Sequence, residues 1–253
     1  MINPRNSRFQ YLVTADRQKN CVTKKVKVIF FLFLAVFVGI AVVCFSDAKK
    51  NNNVFGSKKI FMVFAESSKN QNSLINTIEN VKKLGGSGRV VEKQGVFFVV
   101  VNVYFSESDA KNVQMQVKNE FEKSGVEIFE IKKIKNNIIQ KIKKNQSVFE
   151  YLKFVSNQTT TMHQYQIDYL SGNITLNKLC SLVLAEKLVL EEKIKSLEPL
   201  KQEWKDVFDN ANLLLWHYNN FLDNIFISQK KQALVCDFAV NVTFCLLESH
   251  NNL

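Results

Sequence analysis

The sequence predicts an α+β chain built in three parts. These are a single N-terminal transmembrane helix, a β-α-β-β-α-β unit and an α-helical C-terminal bundle. Three observations carry that expectation. Val28–Phe45 is an unbroken run of 18 residues without a charge. Residues 59–132 alternate short apolar runs with segments of helical period, and residues 146–253 are apolar at helical spacing almost throughout. Of the 253 residues 46% are hydrophobic, which is enough for a packed core and excludes global disorder. Only 8 Gly and 2 Pro exclude collagen-like and Gly/Pro-rich linker architectures.

The net charge of +11 invites a nucleic-acid reading, so its distribution matters. Residues 1–27 hold seven Lys/Arg against Asp16, and residues 133–144 hold five Lys and no acid. Residues 59–132 are close to neutral, and residues 145–253 carry more acids than bases. Neither candidate domain is basic, so nucleic acid is not an expected partner.

Residues 1–27 read as a cytoplasmic basic tail. Val28–Phe45 (VIFFLFLAVFVGIAVVCF) reaches about 27 Å as a helix, near the roughly 30 Å of a hydrocarbon core. It is longer than a signal-peptide h-region and has no polar face. Seven cations precede it, and Lys49, Lys50, Lys58 and Lys59 follow it. That asymmetry places the N-terminus in the cytoplasm and the rest of the chain outside the cell membrane, after a single pass. Residues 46–58 are a polar linker. Ala233–Leu247 is the only later rival as a span, and Asp237, Asn241 and Thr243 interrupt it.

Lys59–Ala65 is a strand. Residues 72–84 are a helix, with Leu74, Ile75, Ile78, Val81 and Leu84 on one face, stopped by Gly85-Gly86-Ser87-Gly88. Arg89–Lys93, the turn Gln94-Gly95 and Val96–Phe105 form a hairpin. Ser106 or Ser108 caps a second helix running to about Lys123, and Val126–Lys132 is the last strand. The order β-α-β-β-α-β over about 75 residues is the ferredoxin-like pattern. Residues 133–145 form a basic amphipathic connector, with Ile134, Ile138, Ile139 and Ile142 on one face. Residues 146–253 follow as helices: 146–157, a mixed segment 159–170, Thr175 or Asn173 to Leu197, Leu200–Ser228 past Pro199, and Gln229–Ser249.

Gly88–Val113 (GRVVEKQGVFFVVVNVYFSESDAKNV), with the first strand and Ser67–Asn72, resembles the SPOR (sporulation-related) domain. The resemblance covers about residues 58–132. It implies binding of peptide-free peptidoglycan glycan strands on an open sheet face. Ser67, Ser68, Asn72, Arg89, Asn102 and Tyr104 are the polar residues near the groove so implied. The sequence departs from the family's pattern in its strands. Val63 and Ala65 stand where a Gln and a Gly are common, Phe98 and Val100 where Arg is common, and Asn102-Val103 where a Gly-Pro pair falls.

That departure has a physical consequence. A half-exposed strand alternates apolar and polar residues, whereas Val96–Val101 is apolar throughout. Such a run is buried on both faces, so Val63, Phe98 and Val100 mark a covered face or an interface. The cover is the C-terminal region, a second copy of the chain or a partner protein.

No catalytic constellation emerges. His163, His217 and His250 are scattered, and none has metal-type spacing with Cys or carboxylates. Neither a cofactor nor a metal is called for. Cys180, Cys236 and Cys245 are an odd exterior set, unlike a disulfide framework. Two functions stay open. One is a membrane-anchored, non-enzymatic envelope protein that binds peptidoglycan during division or sporulation. The other keeps the anchor but uses a degenerate SPOR-like scaffold whose apolar sheet face binds protein or forms a homo-oligomer.

Overall fold

A computed structural model describes residues 56–253. The basic tail, the expected span at residues 28–45 and most of the linker lie outside the described residues. The elements are β1 (Lys58–Ser68), α1 (Ile75–Lys83), β2 (Arg89–Lys93), β3 (Val96–Tyr104), α2 (Glu107–Val117), β4 (Gly125–Ile131), α3 (Asn136–Lys144), α4 (Gln146–Leu170), α5 (Leu176–Leu197), α6 (Lys205–Asn224) and α7 (Lys231–Asn251). A 3-10 turn, Gln71–Leu74, leads into α1, and a second, Glu198–Leu200, holds Pro199 between α5 and α6. All strand pairs are antiparallel, in the order β2-β3-β1-β4.

Local chemistry accounts for most boundaries. Gln94 and Gly95 both take positive φ, 54° and 74°, the combination that a tight two-residue hairpin turn requires. The Ser106 hydroxyl accepts the Asp109 amide at the start of α2, and the Thr175 hydroxyl accepts the Lys178 amide at the start of α5. At Gly88, φ is +65° and a Cβ would press on Lys82 and the Ile78 carbonyl, so no larger residue fits this corner.

The expected fold class is corrected here. Sequence reasoning predicts a ferredoxin-like, SPOR-like domain followed by a separate α-helical bundle. The described residues are 63% helical, and helices cover both faces of their one four-stranded sheet. The one described helix long and apolar enough to cross a membrane is α7, and it is mostly buried inside the body. The physical reason is the apolar run in β3. Its two faces need two covers, and the chain's own C-terminal helix supplies the second.

Two cores result. On one face, Phe61, Val63, Ala65, Val99 and Val101 pack with Leu74, Val81, Ala110, Val113 and Val117 of the α1–α2 layer. On the other, Ile60, Met62, Phe98 and Val100 join Ile142, Tyr151, Leu214, Tyr218, Phe221, Phe238 and Val242 in one continuous cluster. α4 to α7 form a closed ring, each packing on the next and α4 on α7, while α7 also lies on β3 and β4. The apolar face of α3 is turned inward, with Ile134 and Ile142 buried, and Lys141 Nζ lies over the Trp204 ring, 4.6 Å from its centroid. Two fully buried tyrosines of the bundle have their hydroxyls partnered. Tyr151 Oη donates to Asn210 Oδ1 at 2.6 Å, and Tyr218 Oη donates to Gln158 Oε1 at 2.6 Å.

A shared core couples sheet and bundle. Phe98→Ala should cost about 3–5 kcal/mol. Because Trp204 and Trp216 sit in the bundle, their fluorescence should report the same shifted urea transition as far-UV circular dichroism. Two separate transitions would refute the coupling.

Candidate functional site

The candidate face is built by β2, β3 and β1, and its geometry turns on two register breaks. The β1–β3 pairing shifts between Val63 and Phe64, and again between Phe64 and Glu66. At the first break Val63 pairs with Asn102 and Phe64 with Val100, so Val101 is an extra residue. One extra residue reverses the alternation of a strand. Phe98 and Val100 therefore point to the bundle, whereas Asn102 and Tyr104, opposite Val63 and Phe61, point to the α1–α2 layer. The sequence had grouped Val63, Phe98 and Val100 on one face, with Asn102 and Tyr104 beside them. The structure separates these residues.

All three apolar candidates are interior: Phe98 is 8% exposed, and Val63 and Val100 are fully buried. The Phe98 ring meets Phe64 edge-on at 5.0 Å. Asn102 is buried and donates to Tyr104 Oη at 3.4 Å. Burial is the main influence on the Tyr104 phenol and raises its pKa.

Arg89 lies on the bundle side, opposite Val100. Its guanidinium donates to Asn241 Oδ1 on α7. Asn241 Nδ2 donates to Asp237 Oδ2 at 3.1 Å, Ser87 Oγ donates to Asp237 Oδ1 at 2.9 Å, and the Arg89 amide donates to Ser87 Oγ at 3.2 Å. Asp237 and Asn241 are four residues apart and so share a helix face. This polar clasp fastens the N-terminal half of α7 to the edge of the sheet. Sequence reasoning missed its α7 half. Asp237 and Asn241 had been read as interruptions of an apolar run, which was the available signal for polar partners beneath.

Ser67, Ser68 and Asn72 lie elsewhere, at the end of β1 and the turn into α1. Ser67 pairs opposite Phe98. Ser68 Oγ accepts from the Asn70 amide at 3.0 Å and from Ser73 Oγ at 2.9 Å. Asn72 is exposed, and its amide donates to Asn70 Oδ1 at 3.0 Å. Ser68 and Asn72 thus belong to a local turn network with Asn70 and Ser73, apart from the Arg89 clasp.

Two histidines and two thiols are held neutral by burial. Burial lowers His217 to about 4, and the nearby Arg89 charge adds to that. His217 Nδ1 has no hydrogen-bond partner among the described residues. Burial also lowers His163 to about 4; its Nε2 lies 3.3 Å from Thr243 Oγ1, and its ring meets Phe105 edge-on. The Cys236 and Cys245 thiols are each pushed up to about 12, chiefly by burial. Cys236 Sγ accepts from Gln166 Nε2 at 3.0 Å. A thiol held protonated in this way is a poor nucleophile and a poor metal ligand. Cys180, Cys236 and Cys245 are unbridged, and no group of three or more metal-ligating side chains occurs among the described residues. No family model, curated protein or solved structure matches the chain.

Two pH outcomes follow. In the unfolded chain His163 and His217 titrate near 6.5, whereas in the folded body they titrate near 4. The unfolded state therefore binds protons first as pH falls. Stability is complete above about pH 6.5 and declines toward pH 4, which denaturant titration at several pH values will show. Arg89→Met removes a neighbouring positive charge, so the His217 pKa should rise, as read by imidazole NMR titration. An unchanged or lower value would refute the electrostatic coupling.

Proposed function

We propose that the chain is a single-pass membrane protein of the cell envelope whose folded body works by binding rather than by catalysis. The observation that carries this reading is the 18-residue uncharged run Val28–Phe45, with seven cations before it and four close after it. The sealed interior supports the second half of the reading. The described Cys236 and Cys245 thiols are protonated, and His163 and His217 are neutral groups inside the packing.

A second reading, contact with peptidoglycan glycan, is favoured by the surface turn that carries Ser68 and Asn72. On this reading sugar hydroxyls would meet the turn, because Arg89 is committed to Asn241 beneath α7. The sheet face offers neither a glycan nor a partner protein a free apolar surface while α7 lies on it.

Val36→Arg places a charge near the centre of the run, at a cost of about 2.5–3.5 kcal/mol for insertion. It should release the chain from carbonate-washed membranes, whereas the unaltered chain stays with them. Reporter fusions at Leu253 should be active only outside the cytoplasm; a cytoplasmic signal would reverse the topology. Retention of the full chain on denuded glycan that is lost in Asn72→Ala, but kept in wild type, would support the second reading. No retention at all would end it.

A further inference from the structure

The connection between α6 and α7 carries two consecutive exposed apolar side chains: Phe226 is 55% exposed and Ile227 is 78% exposed. These are not the residues of a frayed loop. Ile225 just before them is fully buried and anchors the turn. The Ser228 amide donates to the Asn224 carbonyl at 2.9 Å, and the Lys230 amide donates to Ser228 Oγ at 3.1 Å. The loop is thus held in shape while its two bulkiest groups face water. Such an arrangement is costly unless the apolar groups meet a partner.

The surroundings say which partner. Lys230 and Lys231 follow the loop directly. Lys230 forms an ion pair with Glu79 of α1, and Gln232 lies against Gly85, so the end of α1 sits beside this loop. That end carries Lys82, Lys83 and the exposed Leu84. Three exposed apolar groups thus lie near four lysines, against two acids, Glu79, which is paired with Lys230, and the exposed Asp223 one helical turn before Phe226. Apolar tips framed by cations match the chemistry of an anionic bilayer surface, where the tips enter the headgroup boundary and the lysines meet phosphate.

The short linker keeps the body beside the bilayer. Ten residues, 46–55, separate the end of the apolar run from Gly56, where the described body begins. Fully extended they span only about 35 Å, so the body never leaves the neighbourhood of the bilayer. Tethering at such range raises the effective concentration of even a weak second contact.

We propose that the Phe226–Ile227 loop, with Lys82, Lys83, Leu84, Lys230 and Lys231, is a second membrane contact that docks the body onto an anionic phospholipid surface. This rests on the reading of residues 28–45 as a membrane anchor. The test uses the full chain in lipid nanodiscs, zwitterionic or containing about 30% phosphatidylglycerol, with amide hydrogen exchange as the readout. In anionic discs, exchange across 225–232 and 82–86 should slow by about tenfold relative to zwitterionic discs. Phe226→Ser with Ile227→Ser, or Lys230→Gln with Lys231→Gln, should abolish that slowing while circular dichroism is unchanged. Equal exchange in both discs, with the chain co-eluting with the disc, overturns the docking proposal and leaves the anchor standing. Failure to co-elute with either disc overturns the anchor, and the docking proposal with it. Slowing that appears only when a second protein is added would assign the loop to a protein partner instead and would likewise overturn it.

Discussion

Burial of both faces of β3 is the constraint on which the rest of this body depends. Val99 and Val101 close against the α1–α2 layer, while Phe98 and Val100 close against α7. At roughly 1.5–3 kcal/mol for each fully buried large apolar side chain, leaving either face in water would cost more than a domain of this size can spare. The bundle is therefore no appendage to the sheet. It is the second half of the sheet's core, and the ring of α4 to α7 is held in place by what it covers.

A buried interface between a sheet and a helix leaves polar groups to be matched. Here the matching is concentrated at one corner, where Ser87, Arg89, Asp237 and Asn241 bond to one another. Such a clasp selects one placement of α7 among many that would bury similar apolar area. The same corner brings a fixed positive charge near His217, Cys245 and Glu248, so its electrostatic influence reaches into the bundle.

This arrangement changes what the polar strand residues do. On an open sheet, Arg89 and Asn102 would be ligand groups. Beneath α7, Arg89 is a structural partner, and the bulge at Val101 turns Asn102 to the opposite layer. The surface left for recognition is then at the margins: the turn holding Ser68 and Asn72, and the apolar loop of Phe226 and Ile227 beside Lys230 and Lys231.

Much of the local structure was legible in the sequence. The hairpin around Gln94-Gly95, the caps at Ser106 and Thr175, and the doubly buried nature of Val96–Val101 are short-range properties, written in turn chemistry, capping and the loss of period-two alternation. The mixed segment at 159–170 was harder, and it proved to be the second half of one helix, Gln146–Leu170, because packing outweighs its polar Thr and Gln residues. The sequence by itself determined that β3 needed two covers and that the charge excess is concentrated in two short segments, residues 1–27 and 133–144. Only the tertiary structure decided which element supplied the second cover, and which strand residues faced it. Both depend on contacts between residues some 150 positions apart and on a one-residue register break, and neither leaves a periodic trace along the chain.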